Sequence, residues 1–271
     1  MKTKSALSYF GSDSEAAPAI GAMFDHCKHV SIPFVGGASI VPHLKARGIV
    51  ANDKNDLAIN FYRVMSTDGE ERDWLVSRCE NTLSHPSEIL AAEELVEKYN
   101  NSCAIDRKDL AWAYWAICWI GRKGKGGTSS EGGKPSIRWA ANGGNNASRL
   151  RSVAKDLVEW KREFERCEWM DVCFRVFIPK IKDHGDGGIY IDAPWVGAGD
   201  AYFHSFTEED HKDLRNSLKR FKESSILVRY GDCEFIRELY KGWTIVDAKT
   251  RSQANKSVKE IWIMKNMGSG E

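Results

Sequence analysis

Residues 30 to 53 read "VSIPFVGGASIVPHLKARGIVAND". A β-prone run, "VSIPF", breaks into the turn "VGGAS", a helix is expected around 40 to 46, and a second strand-like run, "GIVAND", ends on Asp53. Strand, crossover and strand within so short a stretch is the start of a βαβ unit.

The same alternation resumes later in the chain. "CEWMD" and "GGIYID" read as short strands ending on Asp171 and Asp192, and "SSILVRY", "GWTIVDA" and "VKEIWIMKN" as further strands. Helices are expected in "VCFRVFIPKIKD", in "TEEDHKDLRNSLKRFKE" with Thr207 as its cap, and in "CEFIRELY". Before the first βαβ strand a helix is expected near 15 to 27. Between about 55 and 120 the pattern is helical: "NDLAINFYRVM", "PSEILAAEELVEKYN" starting at Pro86 and Ser87, and "DRKDLAWAYWAICWI", followed later by "ASRLRSVAKDLVEWKREFER". The aromatic stripe Trp112, Tyr114, Trp115 and Trp119 reads as core. These patterns predict an α/β fold: a doubly wound, Rossmann-like sheet formed by 1–61 and 161–271, with a mostly helical region inserted at 62–160.

The whole-chain figures fit one large domain. At 271 residues, 42% hydrophobic and 28% charged, the chain can bury a sizeable core. No run of about 18 apolar residues could span a bilayer, and the opening "MKTKSALSYFGSDSEAAP" lacks the apolar stretch of a signal peptide, so a cytosolic protein is expected. Seven cysteines without a CxxC pair speak against both a disulfide framework and a zinc ribbon. His26, Cys27 and His29 in "DHCKH" find no second ligand cluster at suitable spacing, so no metal is expected.

Three acids, Asp53, Asp171 and Asp192, close predicted strands, and in a doubly wound fold strand ends line the crevice where ligands bind. Gly36 and Gly37 let a ligand approach the backbone, and Asp53, 16 residues after Gly37, suits ribose hydroxyls. The turn is not GxGxxG, so a dinucleotide pyrophosphate is not the natural ligand; S-adenosylmethionine, which carries no phosphate, fits better. Glycines also serve tight turns with no ligand, and an acid followed by proline also starts an ordinary turn.

The tetrapeptide Asp192-Ala193-Pro194-Trp195 has a chemical logic beyond that of a turn. An exocyclic aromatic amine is a poor nucleophile because its lone pair is delocalised into the ring. Two acceptors aimed at its hydrogens localise that pair. The Asp192 carboxylate supplies one and the Ala193 carbonyl the other, while Pro194 restricts the backbone around that carbonyl. Trp195 offers a face on which an extruded base can stack, worth about 1 to 3 kcal/mol.

At these residues the sequence resembles the Dam-like DNA adenine-N6 methyltransferases, many of them phage-borne. "SYFGSDSEAAPAI", with Tyr9, Phe10 and Gly11, is similar to the family's N-terminal cofactor motif. "IPFVGGAS", with Phe34, Gly36, Gly37 and Ser39, resembles its glycine motif, "VAND" its ribose-binding acid, and "EWMD" the acid that holds the cofactor's adenine. "IYIDAPW" stands where the family has DPPY or DPPW. The resemblance covers nearly the whole chain and implies transfer of a methyl group from S-adenosylmethionine to adenine N6 in double-stranded DNA, without a metal. Two departures stand out: Asp13 where the family usually has lysine after Gly-Ser, and Ala193 in place of the first proline of the tetrapeptide.

The nearly neutral overall balance hides a basic segment. From 118 to 155 the chain carries Arg122, Lys123, Lys125, Lys134, Arg138, Arg149, Arg151 and Lys155 against the single acid Glu131, around a stretch rich in glycine. Phosphate neutralisation dominates nucleic-acid affinity, and a glycine-rich loop can mould itself to a groove. Arg122, Lys123, Lys125, Arg138, Trp139 and Arg149 are the candidate DNA contacts; such composition equally suits a solvated loop. Three other functions stay open on the residues alone: a catalytically silent DNA-binding protein, an amino-methyltransferase acting on RNA adenine or cytosine N4, and a nucleotide-binding metabolic enzyme. The last leaves the basic segment unexplained.

Overall fold

The computed structural model describes residues 5–9, 11–12, 14–121, 143–197, 205–248, 251–253 and 256–267. The opening βαβ unit forms as expected: β1 (His29–Ile32) pairs in parallel with β2 (Gly48–Asn52). The segment between them holds only a 3₁₀ turn at Val41–His43 in place of the helix expected over 40–46. Space explains the reduction. The first helix, α1 (Ala17–Met23), lies so close that a Cβ on Gly21 would fall 2.5 Å from the His43 carbonyl oxygen.

Four helices follow, α2 (Asp56–Ser66), α3 (Glu70–Glu80), α4 (Pro86–Asn100) and α5 (Arg107–Ile120), and α6 (Asn146–Phe164) comes next among the described residues. The sequence pattern misses α3. It buries only Leu75 and Cys79, too few for an apolar stripe, but Glu70, Glu71 and Asp73 in its first turn complement the helix dipole. By contrast α5 is buried nearly all round, with Trp112, Tyr114 and Trp115 in the core as expected, while Trp119 is half-exposed.

Then come β3 (Cys167–Met170), the short α7 (Phe174–Phe177) with a 3₁₀ turn at Ile178–Lys180, β4 (Gly187–Ile191), α8 (Glu208–Leu218), β5 (Ser225–Gly231), α9 (Glu234–Leu239), β6 (Thr244–Asp247), β7 (Arg251–Gln253), β8 (Lys256–Val258) and β9 (Glu260–Lys265). The helix expected over 172–183 stops early because Pro179 lacks the N–H that an α-helix needs there. Thr207 caps α8 through a reciprocal exchange with Asp210, as its sequence suggests.

Seven strands form one sheet in the order β3-β2-β1-β4-β5-β9-β6; β9 alone runs against its neighbours. β7 and β8 form a separate antiparallel pair. The order reverses between β1 and β4, and the crevice at such a switch point is where doubly wound sheets bind ligands. Alternation along the strands serves two cores: Tyr190 and Leu227 face one, Ile189, Ile191, Ile226 and Val228 the other. The first core joins Val30 and Ile49 of the sheet to Tyr62 of α2, Trp115 of α5 and Trp160 of α6. This is the doubly wound, Rossmann-like fold expected from the sequence.

No helix among the described residues is long and apolar enough to cross a membrane. All seven cysteines are free thiols. Cys27, Cys79 and Cys118 are buried and Cys103 is exposed.

His211 of α8 makes stability pH-dependent. It is 1% exposed, and its Nδ1 lies 2.8 Å from the Tyr230 hydroxyl. Burial holds the imidazole down at about 4, against a smaller upward pull from Asp210. A depressed histidine favours the neutral form in the folded state, so its contribution is complete above the ordinary value near 6.5 and disappears as the pH falls through about 4. The shift corresponds to roughly 3 kcal/mol. Replacing His211 by glutamine, which can still accept from Tyr230, is expected to flatten the loss of thermal stability between pH 6.5 and 4.5. An unchanged pH dependence of Tm in that variant would show that His211 is not responsible.

Candidate active site

The end of β1 and the end of β2 are tied together before any ligand is considered. Asn52, 1% exposed, donates to the carbonyls of Pro33 and Val172 at 2.9 Å and accepts from Val172 N–H at 3.0 Å, locking the three left-hand strand ends. Asp53 follows it. Its carboxylate accepts from the backbone N–H of Gly36 at 2.9 Å and of Asn55 at 3.0 Å, so the acid at one strand end holds the glycine turn at the other. Burial pushes the Asp53 carboxyl up, and these backbone donors pull it partly back.

Gly36 has φ +49°, a conformation glycine adopts without strain. A Cβ there would sit 3.3 Å from the Tyr9 ring, and a Cβ on Gly37 3.0 Å from Tyr9 Cβ and Ser5 Oγ. Gly36 thus holds a backbone conformation that favours glycine, and side chains at either position would press on residues 5–9, which lie across the turn. Ser5 Oγ donates to the Gly37 carbonyl at 2.9 Å, the Tyr62 hydroxyl donates to the Gly36 carbonyl at 2.6 Å, and Asn55 reaches the Tyr9 and Tyr114 hydroxyls at 3.4 and 2.8 Å. Ser39 is buried, with its hydroxyl 2.7 Å from that of Ser12. Phe34 packs among Phe174 and Phe206, and Asp171 stands exposed just past the end of β3.

One strand to the other side of the switch point, Asp192 emerges from β4. Its side chain is 17% exposed, and Oδ2 accepts from Arg229 Nη1 at 2.9 Å. Arg229 is fully buried and is gripped from its other edge by Glu260, Nε to Oε1 at 2.7 Å and Nη2 to Oε2 at 2.8 Å. Nη1 also approaches the carbonyl of Gly11 at 3.4 Å, which brings the N-terminal segment from the glycine turn to the Asp192 side. Ala193 is buried, Pro194 half-buried, and the half-buried Trp195 ring lies with its centroid 5.1 Å from the Arg229 guanidinium. Trp195 can seat there because residue 231 is glycine: a Cβ would come within 2.7 Å of the indole Cε3.

The structure therefore gathers Tyr9, Gly36, Gly37, Ser39 and Asp53 at the ends of β1 and β2, and Gly11, Asp192 and Trp195 at the end of β4. Sequence reading missed Arg229 and Glu260. The signal was present: an arginine in the otherwise apolar "SSILVRY" is anomalous, since buried cations require a partner. Of the candidate DNA contacts only Arg149 falls within the described residues. It is exposed at the start of α6, its guanidinium 4.9 Å from the Trp119 ring, whose Nε1 donates to the Ala6 carbonyl at 3.0 Å. Arg122, Lys123, Lys125, Arg138 and Trp139 lie outside the described residues, as do Phe10 and Asp13.

A model of the D12 class N6 adenine-specific DNA methyltransferase family matches residues 9–254. The chain belongs to this family. It is an adenine-specific DNA methyltransferase. No curated protein matches the chain. The family match spans the glycine turn, the three strand-end acids and the Asp192–Trp195 tetrapeptide together.

At the opposite, amino-terminal edge of the methyltransferase sheet, His29, His184 and Asp186 bring three potential ligand atoms within 4.8 Å of one another. Asp186 there is bound by Lys28 Nζ at 2.8 Å and lies 2.6 Å from His184 Nδ1. An ammonium already fills the field of that carboxylate. The group shares His29 with the "DHCKH" cluster considered in the sequence but not His26, whose Nε2 lies 2.8 Å from Ser225 Oγ.

Proposed function

We propose that Asp192, Ala193, Pro194 and Trp195 form the seat of the target adenine, and that S-adenosylmethionine is held across the ends of β1, β2 and β3. The observation that carries this reading is the placement of Asp192 directly across the switch point from the Asp53–Gly36 turn. The donor and acceptor set fits the cofactor. Asp53 accepts from ribose hydroxyls, Asp171 from the adenine amine, and Phe34, Tyr9, Phe10, Gly11, Gly36, Gly37 and Ser39 shape the rest. When bound, the cofactor would supply a methyl group on an electron-poor sulfonium, whose S–C bond breaks with its electron pair left on sulfur as a neutral thioether.

The chain's own residues prepare the nucleophile. Asp192 accepts one hydrogen of adenine N6 and the Ala193 carbonyl the other, turning the nitrogen lone pair out of the ring. Because the group used at residue 193 is a backbone carbonyl, alanine serves where the family has proline. Trp195 stacks on the extruded base and replaces part of the stacking it loses in the duplex. As the N–C bond forms, N6 becomes cationic, and the carboxylate stabilises that charge before accepting the proton.

Double-stranded DNA is the proposed substrate, gripped by Arg149 together with Arg122, Lys123, Lys125, Arg138 and Trp139, with 62–160 as the target-recognition region. The experiment is transfer of labelled methyl from S-adenosylmethionine to unmethylated double-stranded DNA and, in parallel, to RNA, followed by nucleoside mass analysis. Label in N6-methyladenine from DNA is expected. Label in RNA alone, or in N4-methylcytosine, would overturn the substrate assignment.

A further inference from the structure

Arg229 occupies the centre of a charge ladder that runs across three neighbouring strands. Asp192 follows β4, Arg229 lies in β5 and Glu260 opens β9; the registers Ile191↔Val228 and Gly231↔Glu260 bring the three abreast at the carboxyl edge of the sheet. Glu260 is 3% exposed, is bound at both oxygens by Arg229, and accepts a third bond at Oε1 from Trp262 Nε1 at 3.0 Å.

Such an ion triad is weak evidence for stability, because burying charges costs about as much as their attraction returns and apolar side chains would fill the space equally well. Its place suggests another role. The terminal torsion of an aspartate is broad, so an unsupported carboxylate at a strand end samples many directions. An amine hydrogen needs an acceptor already aimed when the base arrives, since reorganisation at that moment adds to the barrier. Arg229 holds one carboxylate oxygen at 2.9 Å and thereby sets the plane of the other. A lone arginine would also draw negative charge away from the acceptor. Glu260, which takes the guanidinium's Nε–Nη2 edge through two hydrogen bonds, offsets that effect.

We infer that Arg229 is a positioning residue for methyl transfer: clamped by Glu260, it orients the Asp192 carboxylate toward the adenine amine while leaving it a strong acceptor. The inference rests on the reading of Asp192 as the group that receives N6. Burial lowers the guanidinium's affinity for its proton, but Asp192 and Glu260 more than restore it, so Arg229 stays charged throughout the working range. Among the described residues, Tyr190 of β4 also favours the charged guanidinium, and burial, with Tyr240 and Asp192 nearby, raises the Tyr230 hydroxyl of β5 well above its ordinary value.

The test compares Arg229→Met, Arg229→Lys and Glu260→Gln by steady-state kinetics across pH, with cofactor binding by calorimetry on each variant. Arg229→Met is expected to lower kcat about 100-fold, with the cofactor Kd changed by less than about threefold. The acid limb of its kcat–pH profile should move up by about one unit, since a carboxylate without its cationic neighbour holds a proton more tightly. Arg229→Lys should recover part of the rate, and Glu260→Gln should lower kcat about tenfold without a change in KM for DNA. A wild-type kcat and pH profile in Arg229→Met would overturn the inference. If Arg229→Met fails to fold, Glu260→Gln decides: unchanged kcat overturns the inference, and reduced kcat at unchanged KM supports it. Asp192→Ala in the same assay separates the two readings, because activity retained there defeats the assignment of Asp192 itself.

Discussion

Asp192→Ala is expected to lower kcat by about a thousandfold, within the range of roughly 10² to 10⁴ associated with a single positioned acid–base group. The cofactor Kd should stay within about threefold of wild type, because Asp192 lies across the switch point from the Asp53–Gly36 turn, whose Gly36 and Asn55 N–H groups bind Asp53. The fold should survive, since Glu260 still binds the buried Arg229 through two hydrogen bonds. Asp192→Asn is the sharper comparison: it keeps the side chain's shape and one acceptor oxygen but removes the charge that stabilises the developing cation on N6. Its rate should fall between those of the alanine variant and wild type. Labelled-methyl transfer under single-turnover conditions measures both, and an alanine variant working near the wild-type rate would show that the chemistry lies elsewhere.

Loss of the acid at the end of β2 should act on binding. Asp53→Ala removes the acceptor proposed for the ribose hydroxyls, and hydrogen bonds to a charged group contribute about 1.5 to 3 kcal/mol, equivalent to a 10- to 100-fold weaker cofactor Kd. The same substitution leaves the Gly36 and Asn55 N–H groups without the carboxylate they share, so the turn carrying Gly36 should loosen as well. Asp53→Asn separates these roles. It keeps one oxygen for the turn but loses the charge, and should restore stability more fully than affinity. Calorimetric titration with S-adenosylmethionine beside thermal denaturation reads the two effects apart; a wild-type Kd in Asp53→Ala would remove Asp53 from the cofactor site.

Together these variants divide the site along its geometry. The left-hand strand ends, tied by Asn52 and Asp53, are expected to govern affinity for the cofactor, and the right-hand end, where Arg229 meets Asp192, is expected to govern rate. The N-terminal segment links them, with Tyr9 against Gly36 and the Gly11 carbonyl near Arg229.

By itself the sequence determined the alternation of strands and helices, the glycine turn after β1, and the acids Asp53, Asp171 and Asp192 at strand ends. These are local properties: a period of two along a strand, a period near 3.6 along a helix, and the punctuation of glycine, proline and capping residues all act within a few positions. Only the tertiary structure decided which strand ends are neighbours. The order β3-β2-β1-β4-β5-β9-β6 sets Asp192 beside Arg229, 37 residues away, and Arg229 beside Glu260, 31 residues further on. Packing likewise reduced the 40–46 helix to a 3₁₀ turn where α1 presses on His43, placed α3 without an apolar stripe, and spent Gly36 and Gly37 on admitting Tyr9 and Ser5. Each of these outcomes depends on atoms brought close by the fold, and a cross-strand ion pair leaves no periodic trace in the chain that forms it.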